Sequence, residues 1–299
     1  MAGNAKIVVS LLTEKQEFQR VQAEEARAAA ARAGLDAEIV WAENNPVVQV
    51  QHIYQVVNAP AGTRPVAMVV QPAAAAGLET AARAAVQAGI GWVLLGDRDA
   101  MLDPLRREFP GKLVASVATD NQEIGRLQAR LFRALLPRGG TLVYVEGPSF
   151  GVAALHRRKR MQEGLAGSGI ETAKVLSGDW TGASAERAAT LWLRLALQVP
   201  RPDLVGSQND EMALGVRKAI SALRPEWTDV AYTGVDGLPG GGQRMVREKT
   251  LNATIITPPP TGLAVELVAR ALRGETVPPS TLMPPRIFPA PEELKPAKP

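Results

Sequence analysis

The sequence predicts an α/β protein built as two doubly wound parallel-sheet lobes, and three observations predict it. Short apolar runs of strand length alternate with longer stretches of helical period along the whole chain, a pattern that places helices on both faces of a parallel sheet. The strand–helix units fall into two sets of four with a break near Asp120, so two similar sheets are expected rather than one large one. A length of 299 residues accommodates two domains of roughly 100–200 residues each.

The elements follow in order. Strands are expected at 7–11, 37–41, 67–71 and 92–95 in the first set, and at 141–145, 173–176, 204–207 and 231–235 in the second. Helices are expected at 16–33, 47–57, 77–88, 121–136, 153–164, 183–197 and 212–223. The first is rich in alanine, which favours helix by propensity. Its apolar positions Val21, Ala28 and Ala29 are sparse, so it should lie on the surface with a narrow buried stripe. Pro258, Pro259 and Pro260 stiffen a connection before a last helix over 261–273. The tail from Val277 to Pro299 is rich in proline and poor in pattern, so its end is expected to be poorly ordered.

Composition excludes several classes. A hydrophobic fraction of 46% with a mean hydropathy of −0.03 is that of an ordinary globular protein. No cysteine is present, which removes disulfides, thiol nucleophiles and Cys-based zinc sites. Two histidines, His52 and His156, are too few for most His-rich metal sites, and neither a metal nor a cofactor is expected. A net charge of +4 is small for a nucleic-acid partner, and none is expected directly. No stretch approaches the roughly 20 apolar residues needed to span a membrane. Met1–Lys6 runs into the first strand without the apolar core of a signal peptide. The expected location is therefore periplasmic if a leader was trimmed, and cytoplasmic if Met1 is the native start.

Three motifs suggest other chemistry and are set aside. Gly147-Pro148-Ser149-Phe150-Gly151 matches a nucleophile elbow between a strand and a helix, but that mechanism needs a histidine after both serine and acid. Only His156 follows, seven residues on. No enzyme activity is expected. His156-Arg157-Arg158-Lys159-Arg160 lacks interleaved aromatics and reads as a solvated helix face. The glycines of 236–242 fit neither a phosphate loop nor a dinucleotide fingerprint.

The most informative stretch is Ser207-Gln208-Asn209-Asp210-Glu211-Met212-Ala213-Leu214-Gly215. An amide and a carboxylate stand there at the carboxyl end of a strand and the amino end of a helix, where parallel α/β sheets bind small polar ligands. Capping of the helix by Asn209 or Asp210 is the competing reading. Further segments stand in step: Gly96-Asp97-Arg98-Asp99, Ala118-Thr119-Asp120-Asn121, Glu146-Gly147-Pro148, Gly178-Asp179-Trp180, Gly234-Val235-Asp236-Gly237 and Ala253-Thr254-Ile255. In that order they resemble the type I periplasmic binding proteins for sugars, which share their fold with LacI-type effector domains.

The resemblance implies three interlobe crossings, with a first lobe of 1–120 plus 258–285 and a second of 121–257 plus 286–299. A polyol offers many hydroxyls and an apolar C–H face, which carboxylates, amides, arginine and an aromatic ring can hold. Glu14, Asp97, Arg98, Asn209, Asp236 and Thr257 are the expected polar contacts, and Phe18 and Trp180 the rings. Departures from the family bear on the ligand. Leu155 stands where ribose-type members carry an arginine, Thr257 replaces a glutamine, and Phe18 is followed by Gln19 rather than a second ring. The loop before it brings Glu14, Lys15 and Glu17, and Glu14 or Glu17 could meet an amine. Rejection of ribose is expected from Leu155 and Thr257. The implied function is capture of a sugar or polyol by hinge closure of a monomer that delivers it to an ABC permease or a sensor. The alternative is a cytoplasmic LacI-like sensing domain without a DNA-binding segment.

Overall fold

The computed structural model describes residues 5–74, 77–96, 99–149, 151–195 and 200–297. The chain divides into two compact units, Met1–Thr119 with Pro259–Met283 and Asp120–Pro258 with Pro284–Pro299, so it passes from one unit to the other three times. Each unit contains a six-stranded sheet. Among the described residues no helix is long and apolar enough to cross a membrane.

The first unit runs β1 (Ala5–Leu11), α1 (Glu17–Ala33), β2 (Leu35–Trp41), α2 (Pro46–Asn58), β3 (Ala67–Val70), α3 (Leu78–Gln87), β4 (Gly91–Leu95), α4 (Asp99–Glu108) and β5 (Val114–Thr119). The second begins with α5 (Asn121–Leu135), β6 (Gly140–Glu146), α6 (Val152–Leu165), β7 (Ile170–Ser177), α7 (Gly182–Leu195), β8 (Leu204–Ser207) and α8 (Asp210–Leu223). It continues with β9 (Ala231–Asp236), α9 (Gly242–Arg247) and β10 (Ala253–Ile256). The chain then returns to the first unit for α10 (Thr261–Leu272) and β11 (Ser280–Met283), and ends in the second with β12 (Arg286–Phe288).

Both sheets are covered on both faces, and the strands show it by alternation. Ile7, Val9 and Leu11 of β1 pack with α1 and α10, while Val8 packs on the opposite face with Ile53, Leu78 and Leu102. In β6, Leu142 and Tyr144 face α5 and α6, and Val143 and Val145 face α7 and α8. The two-residue period of a strand sends neighbours to opposite faces. A sheet buried on both sides therefore reads as a continuous apolar run.

The strand order is β11-β5-β4-β3-β1-β2 in one sheet and β12-β10-β9-β8-β6-β7 in the other. In each, the second strand in sequence lies on one side of the first and the later strands on the other. The order therefore reverses at β1/β3 and at β6/β8, and the crevice at the carboxyl ends of such a pair is where open α/β sheets bind ligands.

Three expectations need correction. The buried stripe of α1 is Gln19, Gln22, Ala23, Ala26, Ala29 and Ala30. Ala28 is exposed and Val21 half-buried, and two glutamines share the inward face with four alanines. The tail is structured where it is described: β11 pairs parallel with β5 and β12 pairs antiparallel with β10. Leu294 and Ala297 pack against the core of the second unit, and the Ala297 N–H donates to the Leu135 carbonyl at 2.8 Å. Prolines removed the periodic signal there without preventing short edge strands, the one place in a sheet that tolerates them. The sheet of the second unit is parallel except at this edge.

Candidate ligand-binding site

The carboxyl ends of β6, β8 and β9 bring together the glycine loop after β6, Asn209, Asp210 and Asp236. The loop is held from below by a buried polar network. Tyr144 donates its hydroxyl to Gln128 Oε1 at 2.9 Å and accepts Gln208 Nε2 at 2.9 Å. Gln128 Nε2 donates to the Ser207 carbonyl at 3.0 Å. Burial pushes the Tyr144 phenol well above its usual value, so it stays neutral and able to donate.

Trp180, in the loop between β7 and α7, is half-buried and has φ of 69°. A bulky side chain at positive φ is a backbone outlier, which the surroundings must hold in place. Asn209 does so: its Nδ2 donates to the Trp180 carbonyl at 2.9 Å, while its Oδ1 accepts the Met212 N–H at 2.8 Å and caps α8. The Trp180 ring lies where a Cβ on Gly147 would be, so glycine is required there for the ring to reach the loop.

Over that ring sits Arg157 of α6, its guanidinium carbon 5.5 Å from the ring centroid. The side chain is buried; Nε donates to Asn121 Oδ1 at 2.8 Å and NH1 to the Gln208 carbonyl at 2.7 Å. Burial lowers the Arg157 pKa, and the negative charge of Asp236 opposes that shift. Arg157 is the residue that the sequence reading missed, having assigned the whole basic run to solvent. Its signal was the spacing Ala154, Arg157, Met161, Leu165, which is the buried face of α6. Leu155 is 47% exposed and lies two residues, about 200°, round the helix from Arg157.

Asp236 ends β9 with φ of 102°, a second residue held in a sparsely populated region. Its carbonyl accepts the Thr257 N–H at 3.0 Å and the Thr257 hydroxyl at 3.4 Å. Thr257 is 2% exposed, so it steadies Asp236 from behind. Asp210 is a buried structural carboxylate: it accepts the Gly237 N–H at 2.8 Å and the Thr254 hydroxyl at 2.6 Å. A Cβ on Gly234 or on Gly242 would strike that carboxylate.

In the first unit the crevice at β1 and β3 is lined by amides. Gln49 Nε2 donates to Ser10 Oγ at 3.0 Å and to the Gln71 carbonyl at 2.7 Å, and its Oε1 accepts the Ala73 N–H at 2.8 Å. Gln22 Nε2 donates to Gln71 Oε1 at 2.5 Å, and Gln19 Oε1 accepts the Leu12 N–H at 3.2 Å. Phe18 is half-buried in the first turn of α1, and Glu14 is exposed in the preceding loop, its carbonyl accepting Arg20 NH1 at 2.9 Å. Asp97 and Arg98 lie outside the described residues. Of the expected residues, Trp180, Asn209, Asp236 and Thr257 thus converge in the second unit, and Phe18 and Glu14 stand near the crevice of the first. Among the described residues no cluster of three His, Asp or Glu could hold a metal ion.

The chain resembles known proteins along its length. It is 28% identical to the ribose import binding protein of Salmonella typhimurium over 176 residues, 58% of this chain and 57% of that one. The alignment thus spans a little over half the length of that relative. A solute-binding protein of an ABC transporter from Actinobacillus succinogenes, solved with D-allose, superposes with a TM-score of 0.83 at 20% identity, covering 97% of this chain and 99% of that one. One from Bacillus halodurans, solved with myo-inositol, superposes with a TM-score of 0.81 at 21% identity, covering 98% and 96%. At such identity these two establish the shared fold. Residues 7–276 match the model of the periplasmic binding protein domain, and the chain belongs to that family.

Proposed function

We propose that the chain is a solute-binding protein that captures a sugar or polyol and passes it to an ABC permease or a sensor, acting as a monomer in the periplasm. The observation that carries this reading is the buried Arg157 guanidinium over the Trp180 ring and under the electrostatic influence of Asp236, at the point where the strand order of the second unit reverses. An aromatic face, a rigid fork of donors and a carboxylate acceptor match a molecule that is apolar on its C–H face and hydroxylated at its edge. Asp236 and Arg157 are the proposed polar contacts and Trp180 the ring. Asn209 and Thr257 act through the residues they hold, and Phe18, Glu14, Asp97 and Arg98 are proposed contributions of the first unit, which closes on the ligand. The names of the relatives, which include ribose, allose and inositol binders, support the ligand class.

Calorimetry and thermal shift with D-ribose, D-allose and myo-inositol test the reading. A ligand present at about a hundredfold excess over its Kd raises stability by about 2.7 kcal/mol, a clear shift in Tm. Asp236→Ala should remove the shift while leaving the unliganded protein folded. Unchanged affinity in Asp236→Ala would refute the assignment.

A further inference from the structure

We propose that Gln208 is the positioning residue of the binding site, the one side chain that sets Arg157 and the glycine loop in register. The inference rests on the binding reading above and goes beyond it by assigning a role to a residue that no ligand can touch: Gln208 is 0% exposed. Its Oε1 accepts the Gly147 N–H at 3.0 Å. Its Nε2 donates to the Ala154 carbonyl at 2.9 Å and to the Tyr144 hydroxyl at 2.9 Å. Its own carbonyl accepts Arg157 NH1 at 2.7 Å, and its N–H donates to the Val145 carbonyl at 2.9 Å.

Those partners belong to three different segments. Gly147 is the floor on which the Trp180 ring lies. Ala154 and Arg157 are one turn apart on the buried face of α6. Val145 and Tyr144 are the end of β6. An amide is the only side chain of this length that supplies two donors and an acceptor without charge, as this point between a loop N–H, a helix carbonyl and a hydroxyl requires. In a dry interior each lost partner leaves a polar group unpaired. The loop and the helix would then move to find others, and the guanidinium held by the Gln208 carbonyl would move with them.

The test compares Gln208→Leu with Leu193→Ala, a truncation in the core between α7 and α8 that destabilises the same unit without touching the network. Two quantities are read: affinity by calorimetry for whichever of D-ribose, D-allose and myo-inositol binds the unaltered protein, and the Arg157 Nε–H resonance of the unliganded protein, assigned through Arg157→Lys. Gln208→Leu is expected to weaken binding at least tenfold and to shift or exchange-broaden the Arg157 signal, whereas Leu193→Ala changes neither. If Gln208→Leu does not fold, Tyr144→Phe, which removes one of the three side-chain partners, is expected to shift the same signal and to weaken binding severalfold. An unmoved Arg157 signal in the folded variant overturns the positioning role, whatever happens to affinity. If none of the three probes binds the unaltered protein, the ligand class has failed, and the resonance alone still decides the role of Gln208.

Discussion

The two units share a strand order but line the crevice at its reversal with different chemistry. In the first, the described residues at β1 and β3 are Ser10, Gln19, Gln22, Gln49 and Gln71, neutral groups hydrogen-bonded to one another or to the backbone, with Gln22 Oε1 buried and unpartnered. In the second, the equivalent point carries charge: Arg157 over the Trp180 ring, Asp236 acting on that guanidinium, and the buried Asp210 bonded to Gly237. Strand order thus decides where a crevice forms and leaves open what lines it. Neutral amides are inexpensive to bury once hydrogen-bonded, whereas buried charge is tolerated only with close partners. The second unit should therefore be the more sensitive to substitution, although non-glycine residues at positive φ occur in both, at Glu43 and Asn44 in the first and at Trp180, Asp236 and Lys249 in the second.

The largest effect should come from Arg157→Met, which keeps the volume and removes the charge. Ligand binding is expected to weaken about a hundredfold, the equivalent of roughly 2.7 kcal/mol, and the Gln208 carbonyl loses its partner. Leu155→Arg, at the exposed position two residues earlier, should change affinity less than twofold. Calorimetry on both separates the faces of α6, and the reverse ranking would break the contrast.

Asp210→Asn comes next. The amide can no longer accept from both the Gly237 N–H and the Thr254 hydroxyl without turning a donor toward one of them, at a cost of about 2 kcal/mol. Hydrogen exchange at β9 and β10 should accelerate while β1 and β3 stay protected, since two units need not unfold together. In the first unit Gln19→Leu, which removes the one acceptor of the Leu12 N–H, should cost less, about 1 kcal/mol, with faster exchange at Leu12. A larger loss there than at Asp210 would show that the neutral crevice is the more tightly coupled of the two.

The smallest effect is one of pH. Burial raises the Asp179 pKa, but hydrogen bonds from Thr181 and Ser184 outweigh it and hold the group below its usual 3.8. A depressed carboxylate adds stability that is complete above the unfolded value and lost as pH falls through the folded one. Asp179→Asn should therefore lower Tm slightly at neutral pH, with the gap to the parent closing below about pH 4. A gap independent of pH would assign the effect to something other than the charge of Asp179.

Much of the fold was legible in the sequence because burial on both faces writes β1, β3, β4, β6 and β8 as uninterrupted apolar runs. The failures have physical causes. Strand β5 is built of Val, Ala, Ser and Thr, too small and polar to stand out, and α4 carries Pro104 in its interior. The candidate site stood out in the sequence where loops carried it, at Trp180, Asn209 and Asp236, whose roles in binding remain proposals. It was hidden where helices did: Gln22 and Arg157 occupy buried faces, and polar residues there count against the period that would reveal them. Asn209 also shows that cap and site need not compete, since one amide holds both the helix and Trp180.

The three-residue strand β12 lies along β10, whose residues Ala253–Ile256 are all buried. Without it, a short apolar strand would present an open row of N–H and C=O groups, the template on which chains add to one another. The covering strand is poorly suited to extend the ladder, because Pro284, Pro285 and Pro289 flank it and bring no N–H. Such an edge ends the sheet and offers little to a neighbour.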